Sequence, residues 1–159
     1  MSRARLSRVQ LALNVADVEE AVVFYTKLLG TPPAKVRAGY ANFAVDDPPL
    51  KLVLIEDGAR EPGSVNHLGV EVPTRDAVAA ATDRLRAEGL ATAVEDEVTC
   101  CYALQDKVWV RGPGGEPWEI YTVLEDSDEP VGEPCCGASG VRGEPACCGP
   151  RSGASAAIQ

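Results

Sequence analysis

VQLALNV at residues 9–15 runs directly into ADVEEAVVFYTKLLG at residues 16–30, and these two segments decide the fold. The first alternates apolar and polar side chains, as a strand with one buried face does. The second begins with the capping residues Asp17 and Glu20, ends at Gly30 and has apolar residues at helical spacing. It therefore predicts an amphipathic helix whose inward stripe consists of Val18, Ala21, Val22, Tyr25, Leu28 and Leu29.

The same order recurs in the second half of the chain. NHLGVEV at residues 66–72 is again strand-like, and PTRDAVAAATDRLRAEG at residues 73–89 is again helical and ends at Gly89. Either Thr74 or Asp76 is suited to cap this second helix. A strand and a helix in the same order, a little under sixty residues apart, indicate a duplicated module.

Strand-like runs joined by turn-forming residues follow each helix. They are AKVRA, YANFAV and LKLVLIE in the first half, and ATAVEDEV, CYALQ, KVWVR and PWEIYTVL in the second. The sequence thus predicts an α+β fold of two β-α-β-β-β modules, at residues 8–57 and 65–125. Together the modules form a curved mixed sheet with the helices outside and a cup on the other face.

Composition predicts one compact unit followed by a tail. With 159 residues and 45% hydrophobic content, the chain is long enough for one core but hardly for two independent domains. From Asp126 onward it is rich in Gly, Pro, Ser and Glu and almost free of large apolar residues. We therefore expect a domain over residues 1–125 and a flexible, cysteine-containing tail over residues 126–159.

Charge and hydropathy exclude several classes of partner. The formal net charge is -9, and no basic stripe interleaved with aromatic residues is present, so nucleic acid is not an expected partner. No apolar run is long enough to cross a membrane, and the first fifteen residues lack the apolar stretch of a signal peptide. We therefore expect a cytoplasmic protein.

Six cysteines form three adjacent pairs, at Cys100 and Cys101, Cys135 and Cys136, and Cys147 and Cys148. In a reducing cytosol these thiols are expected to be free ligands or redox groups rather than structural bridges. The first pair could instead be two small buried apolar residues, and the tail pairs could belong to an extension without a role. Both thiols of the first pair could reach one atom only at a bulge or at the start of a strand, because neighbouring strand residues face opposite ways.

Four polar residues occupy corresponding positions in the two modules. Strand alternation directs Gln10 and His67 to the concave face of the sheet, and the last strands of the modules align Lys51 with Glu119. A lone histidine is more often a hydrogen-bonded core or surface residue than a ligand. Glu119 could likewise be a surface carboxylate, and Gln10 could simply make a hydrogen bond. The matched repeat positions favour a shared site for these residues.

This constellation resembles the vicinal oxygen chelate superfamily, which includes glyoxalases, extradiol dioxygenases and thiol-transferring resistance proteins. The resemblance implies that Gln10, His67 and Glu119 hold a metal ion, whereas a protonated lysine at position 51 cannot. One imidazole, one carboxylate and one amide oxygen are close to the facial ligand set of non-haem Fe(II) enzymes, although the same donors also suit Mn, Ni, Co or Zn.

A narrower resemblance rests on RVQLALNV, GYANFAVDDPPLKLVL, NHLGVEV and TCCYALQDKVWVRGPGGEPWEIYTVL. These stretches look like those of the organoarsenical C-As lyases, a group related to the cadmium-induced protein of mycobacteria. The resemblance implies an Fe(II) cofactor with O2 as co-substrate, and a trivalent organoarsenical bound by Cys100 and Cys101. The tail cysteines Cys135, Cys136, Cys147 and Cys148 would be accessory metalloid-binding residues.

Two other functions fit the same sequence. One is a non-catalytic protein that sequesters cadmium or a metalloid through its cysteine pairs. The other is a glyoxalase-like isomerase or a thiol-transferring resistance enzyme, in which Cys100 and Cys101 would be dispensable. The sequence also leaves open whether the modules pair within one chain or across a homodimer.

Overall fold

A computed structural model of the protein describes residues 7–100 and 102–128. The first module consists of β1 (Arg8–Val15), α1 (Val18–Leu29), β2 (Lys35–Arg37), β3 (Tyr40–Val45) and β4 (Leu50–Glu56). The second consists of β5 (Val65–Glu71), α2 (Arg75–Ala87), β6 (Ala93–Cys100), β7 (Ala103–Arg111) and β8 (Pro117–Asp126). The prediction that one strand, one helix and three strands follow one another in each of two modules is confirmed.

All eight strands form one mixed sheet in the order β2-β3-β4-β1-β5-β8-β7-β6. The first and last strands of each module pair in parallel, β1 with β4 and β5 with β8. The modules join within the chain through the antiparallel pairing of β1 with β5. As a result, Lys51, Gln10, Gly69 and Glu119 lie side by side in one row across four strands.

The helix ends follow from local chemistry. The Asp17 side chain accepts the Glu20 N–H at 2.8 Å, and Gly30 adopts the left-handed conformation after the last turn of α1. In α2 the capping residue is Thr74 rather than Asp76, since the Thr74 hydroxyl accepts the Ala77 N–H at 3.2 Å. Neither helix in the described part of the chain is long and apolar enough to cross a membrane.

The helices pack on the convex face and leave the concave face to polar residues. Phe43 and Leu54 are fully buried beneath α1, and Val108 is fully buried beneath α2. The prediction that Leu28 faces the core is wrong, because its side chain is 63% exposed. At 100° per residue, Leu28 lies about 80° around the helix from Val18, at the edge of the apolar stripe.

The strands around the first cysteine pair also differ from the prediction. CYALQ and KVWVR are not separate strands, because β7 continues through Asp106 from Ala103 to Arg111. Strand conformation at Asp106 is stabilised by its carboxylate, which accepts the Glu97 N–H at 2.7 Å and pairs with Arg75 Nε at 3.1 Å. The preceding strand, β6, includes Cys100 as its last residue, and Cys100 pairs there with Ala103 of β7.

The predicted tail lies largely outside the described residues. β8 extends to Asp126, whose carboxylate pairs with Lys35 at 2.8 Å, and Asp128 pairs with Arg37 at 2.7 Å. Residues 129–159 are not described, so the predictions for this segment remain predictions. They include the accessory metalloid site at Cys135, Cys136, Cys147 and Cys148.

Two leucine substitutions test the packing. Leu54→Ala should lower the free energy of unfolding by about 3 kcal/mol, because it opens a cavity at a fully buried position. Leu28→Ala is the matched control and should change it by less than about 0.5 kcal/mol, because Leu28 is exposed. Urea unfolding measures both. Equal destabilisation by the two variants would contradict this packing.

Candidate metal centre and substrate cavity

Three potential metal ligands converge at the centre of the concave face. Gln10 Nε2 lies 3.0 Å from His67 Nε2 and 2.6 Å from Glu119 Oε1. His67 Nε2 lies 3.3 Å from the same carboxylate oxygen. All three residues are at least 95% buried, and they come from the adjacent strands β1, β5 and β8. The structure thus brings together the three residues that were predicted to form a metal site.

Gly69 makes this convergence sterically feasible. It lies between Gln10 and Glu119 in the row across the sheet. A Cβ atom at position 69 would lie 2.9 Å from both Glu119 Cγ and the Glu119 carbonyl oxygen, and 3.4 Å from Gln10 Nε2. Only glycine leaves this space for the ligand side chains. Sequence reasoning missed this residue, although an isolated glycine inside a strand does signal close approach of another group.

His67 is held in one tautomer by a chain of amides. Asn66 Nδ2 donates to Asn14 Oδ1 at 2.9 Å, so Asn66 directs its Oδ1 to His67 Nδ1, 2.8 Å away. The imidazole therefore donates through Nδ1 and presents the lone pair of Nε2 to the centre, where it accepts from Gln10 Nε2 at 3.0 Å. Such a hydrogen bond on the remote nitrogen is how metal-binding histidines are oriented.

Lys107 neutralises Glu119. Its ammonium lies 3.0 Å from Glu119 Oε2, and both side chains are almost completely buried. Burial by itself raises the pKa of Glu119, but the charge of Lys107, the neighbouring His67 and the hydrogen bond from Lys107 together outweigh it and lower the pKa from 4.5 to about 2. Glu119 is thus a carboxylate at neutral pH, with Oε2 engaged by Lys107 and Oε1 directed to Gln10 and His67.

The donor set fits a divalent metal ion. Within the described residues, no three His, Cys, Asp or Glu side chains cluster, so the third protein ligand would be an amide oxygen. In the structure, the Gln10 amide directs Nε2 to the centre, and its Oε1 accepts a hydrogen bond from the Tyr121 hydroxyl. A half-turn of the amide exchanges these atoms, and the Tyr121 hydroxyl can then accept instead of donating. Imidazole nitrogen, carboxylate oxygen and amide oxygen would then face the same space.

A cavity of about 290 Å³ opens over this centre. Small-molecule sites usually occupy roughly 300–1,000 Å³, so it suits a compact ligand. Its walls include all three candidate ligands together with Cys100, Lys51 and Trp109. Trp109 packs edge-on against His67, with 5.6 Å between ring centroids.

Cys100 is 3% exposed and lines the cavity, but it is disulfide-bonded rather than a free thiol. The expectation of a free thiol at Cys100 therefore differs from what the structure records. The structure places the sulfur at the predicted site in its oxidised form.

The sequence profile of the Glyoxalase/Bleomycin resistance protein/Dioxygenase superfamily matches residues 7–120. The chain belongs to this superfamily. The solved 2,3-dioxygenase LapB from Pseudomonas sp. KL28 shares the superfamily fold with a TM-score of 0.57, over 73% of this chain and 40% of LapB, at 20% sequence identity. That level of identity supports the fold alone.

Two relatives within the superfamily are much more similar in sequence. The trivalent organoarsenical cleaving enzyme of Thermomonospora curvata is 53% identical over 95% of this chain and 94% of its own length. The cadmium-induced protein CadI of Mycobacterium tuberculosis is 58% identical over 77% of this chain and 80% of its own length. Both similarities confirm the resemblance found in the sequence.

Gly69→Ala should weaken metal binding. The added methyl group must displace Glu119 or Gln10, so we expect at least about 10-fold weaker Co(II) binding, measured by absorption titration. Gly58→Ala is the matched control, because a Cβ atom at position 58 meets nothing within 4 Å. Equal affinities for the two variants, with native circular dichroism, would show that the close approach at Gly69 does not matter.

The low pKa of Glu119 predicts how stability depends on pH. Because the pKa is lowered from 4.5 to about 2, ionised Glu119 stabilises the metal-free fold above pH 4.5. This contribution to the free energy of unfolding, about 3 kcal/mol, should be lost as the pH falls from 4.5 to about 2. The difference in unfolding free energy between wild type and Glu119→Gln should therefore narrow on acidification, as measured by urea unfolding.

Glu125→Gln is the control for this experiment, because Glu125 is an exposed carboxylate near the end of the same strand. It should differ from wild type by less than about 0.5 kcal/mol at every pH. A difference between wild type and Glu119→Gln that stays constant with pH would contradict the lowered pKa.

Proposed function

We propose that this protein is a cytoplasmic Fe(II)-dependent dioxygenase that cleaves the carbon–arsenic bond of trivalent organoarsenicals and releases inorganic As(III). The observation that carries the proposal is the convergence of Gln10, His67 and Glu119 in a cavity whose wall includes Cys100. The name of the Thermomonospora relative supports the substrate class. The proposed outcome is arsenic detoxification.

Gln10, His67 and Glu119 would hold the metal ion. Three ligands from one side leave several coordination positions free, as in facial sites with two histidines and one carboxylate. When bound, ferrous iron would supply the one-electron chemistry that lets dioxygen react with a closed-shell organic substrate. The remaining contributions come from side chains that orient these ligands and from the cavity walls.

The surrounding residues keep the ligands in place and adjust their charge. Lys107 occupies Glu119 Oε2 at 3.0 Å, which leaves Oε1 as the oxygen available for coordination. Asn66 keeps the proton of His67 on Nδ1, so Nε2 remains an electron-pair donor. Tyr121 can hold the amide of Gln10 after its half-turn, since the hydroxyl can accept as well as donate. Apart from that half-turn, these contacts limit how far the ligands must reorganise when a metal ion binds.

Cys100 and Cys101 would bind the arsenic atom. Trivalent arsenic is a soft acceptor and favours two thiolates. Such a pair would fix the carbon–arsenic bond beside the metal centre and reduce the entropic cost of reaching the reactive geometry. Since the disulfide at Cys100 cannot bind arsenic in this way, reduction must precede substrate binding.

The overall reaction balances with dioxygen alone. For methylarsonous acid, CH3As(OH)2 + O2 gives As(OH)3 + HCHO. One oxygen atom enters each product, the carbon loses four electrons to dioxygen, and arsenic remains trivalent. The bond that breaks is carbon–arsenic, and no additional reductant is consumed in the turnover.

Anaerobic reconstitution tests this function. Reduced protein loaded with Fe(II) and methylarsonous acid should release arsenite only when O2 is admitted, with one O2 consumed for each arsenite. Chromatography with elemental detection and an oxygen electrode measure the two quantities. His67→Ala, Glu119→Gln and Cys100→Ser should each lower kcat/KM at least about 100-fold, because each removes the imidazole, carboxylate or thiolate that would bind the metal ion or arsenic. Omitting the thiol reductant should abolish turnover.

The controls separate this function from its alternatives. Glu125→Gln should retain wild-type turnover, since Glu125 is exposed near the end of β8. Absence of arsenite release together with tight Cd(II) binding would favour metal sequestration. Activity on a glyoxalase-type substrate that survives Cys100→Ser would favour the glyoxalase-like alternative.

A further inference from the structure

Lys51 is a cavity residue to which the proposed function gives no role. It lies on β4, where its backbone is the direct neighbour of Gln10 on β1, and it occupies the place in the first module that Glu119 occupies in the second. Adjacent strands are about 5 Å apart, so Lys51 stands next to the metal-binding row. Its half-buried side chain lines the same cavity as the candidate ligands.

Lys51 differs from the other cations of this cavity in having no hydrogen-bond or ion-pair partner among the residues that the structure describes. Within residues 7–100 and 102–128, its ammonium makes no hydrogen bond and has no carboxylate oxygen within 4.0 Å. By contrast, each of the other three cations forms a close ion pair with a carboxylate. These pairs are Arg8 with Asp46 at 2.6 Å, Lys35 with Asp126 at 2.8 Å, and Lys107 with Glu119 at 3.0 Å. A partly desolvated cation without a partner is costly unless a ligand compensates it.

The electrostatics of the cavity favour an anion. Four cations and three carboxylates line it, which leaves one positive charge in excess although the chain as a whole carries -9. Burial lowers the pKa of Lys51, and the nearby charge of Glu71 offsets only part of that shift. Glu71 forms a long ion pair with Arg8, at 3.6 Å, although its Oε2 accepts no hydrogen bond from the described residues. An anion at Lys51 would replace the solvation that the ammonium loses.

We propose that Lys51 is a specificity-determining residue that binds an acidic group, such as a carboxylate or a phenolate, on the aromatic ring of an arylarsenical substrate. This inference rests on the proposed function and deepens it. It predicts that the protein favours arylarsenicals with an acidic ring substituent over unsubstituted phenyl compounds.

The strand order is consistent with this placement. Cys100 lies on β6 and Lys51 on β4, and the strands that carry the three metal ligands lie between them in the sheet. All these residues line one cavity. A ligand held by its arsenic atom at Cys100, with its ring over the metal centre, would therefore direct the far edge of the ring towards the first module, where Lys51 is the cation without a partner among the described residues.

Substrate preference tests the proposal. The measured quantity is kcat/KM for 4-carboxyphenylarsonous acid divided by kcat/KM for phenylarsonous acid. We expect Lys51→Met to lower this ratio at least about 10-fold, since it removes a hydrogen bond between two charged groups. Lys51→Arg keeps the charge and should retain most of the preference. Lys27→Met, at an exposed position on α1, is the matched control and should leave the ratio unchanged.

Binding measured without turnover separates this proposal from the proposed function. Dissociation constants of both compounds for the reduced, metal-free protein follow from the fluorescence of Trp109, which lines the cavity. A binding preference that Lys51→Met abolishes would support the role of Lys51 even if no variant releases arsenite. If Lys51→Met and wild type give the same ratio in both assays, the proposal is overturned, whether or not the enzyme cleaves arsenicals.

Discussion

The pairing of β1 with β5 is the contact on which the rest of the structure depends. It joins two similar modules into one sheet and places the first strand of each at the centre. Because each of these strands also pairs in parallel with the last strand of its own module, Gln10, Gly69 and Glu119 become neighbours in one row. Residues more than a hundred positions apart thereby reach hydrogen-bonding distance.

The centre of this row is polar and buried, which costs free energy unless every group has a partner. The amides of Asn14 and Asn66, the hydroxyl of Tyr121 and the ammonium of Lys107 provide those partners. Their hydrogen bonds determine the direction in which His67 and Glu119 present their electron pairs. The same contacts that offset the cost of burial therefore also orient two of the three candidate ligands.

The two modules share a backbone geometry but differ in charge at one pair of corresponding positions. Lys51 and Glu119 occupy corresponding positions, yet one is a cation without a partner in the described part of the chain and the other a carboxylate held by Lys107. A carboxylate in both modules would have allowed a fourth protein ligand. The lysine instead places a cation beside the row of candidate ligands, where the proposed substrate would be recognised without coordinating a metal ion.

The sequence by itself determined the two modules, the caps of α1 and the concave-face positions of Gln10, His67 and Glu119, but left the N-cap of α2 open between Thr74 and Asp76. Each of these follows from local periodicity or from the repeat. Only the tertiary structure decided the roles of Gly69, Lys107 and Asn66, the exposure of Leu28 and the unbroken strand through Asp106. Those features depend on which side chains meet across strands that are distant in sequence, and a local pattern does not record such contacts.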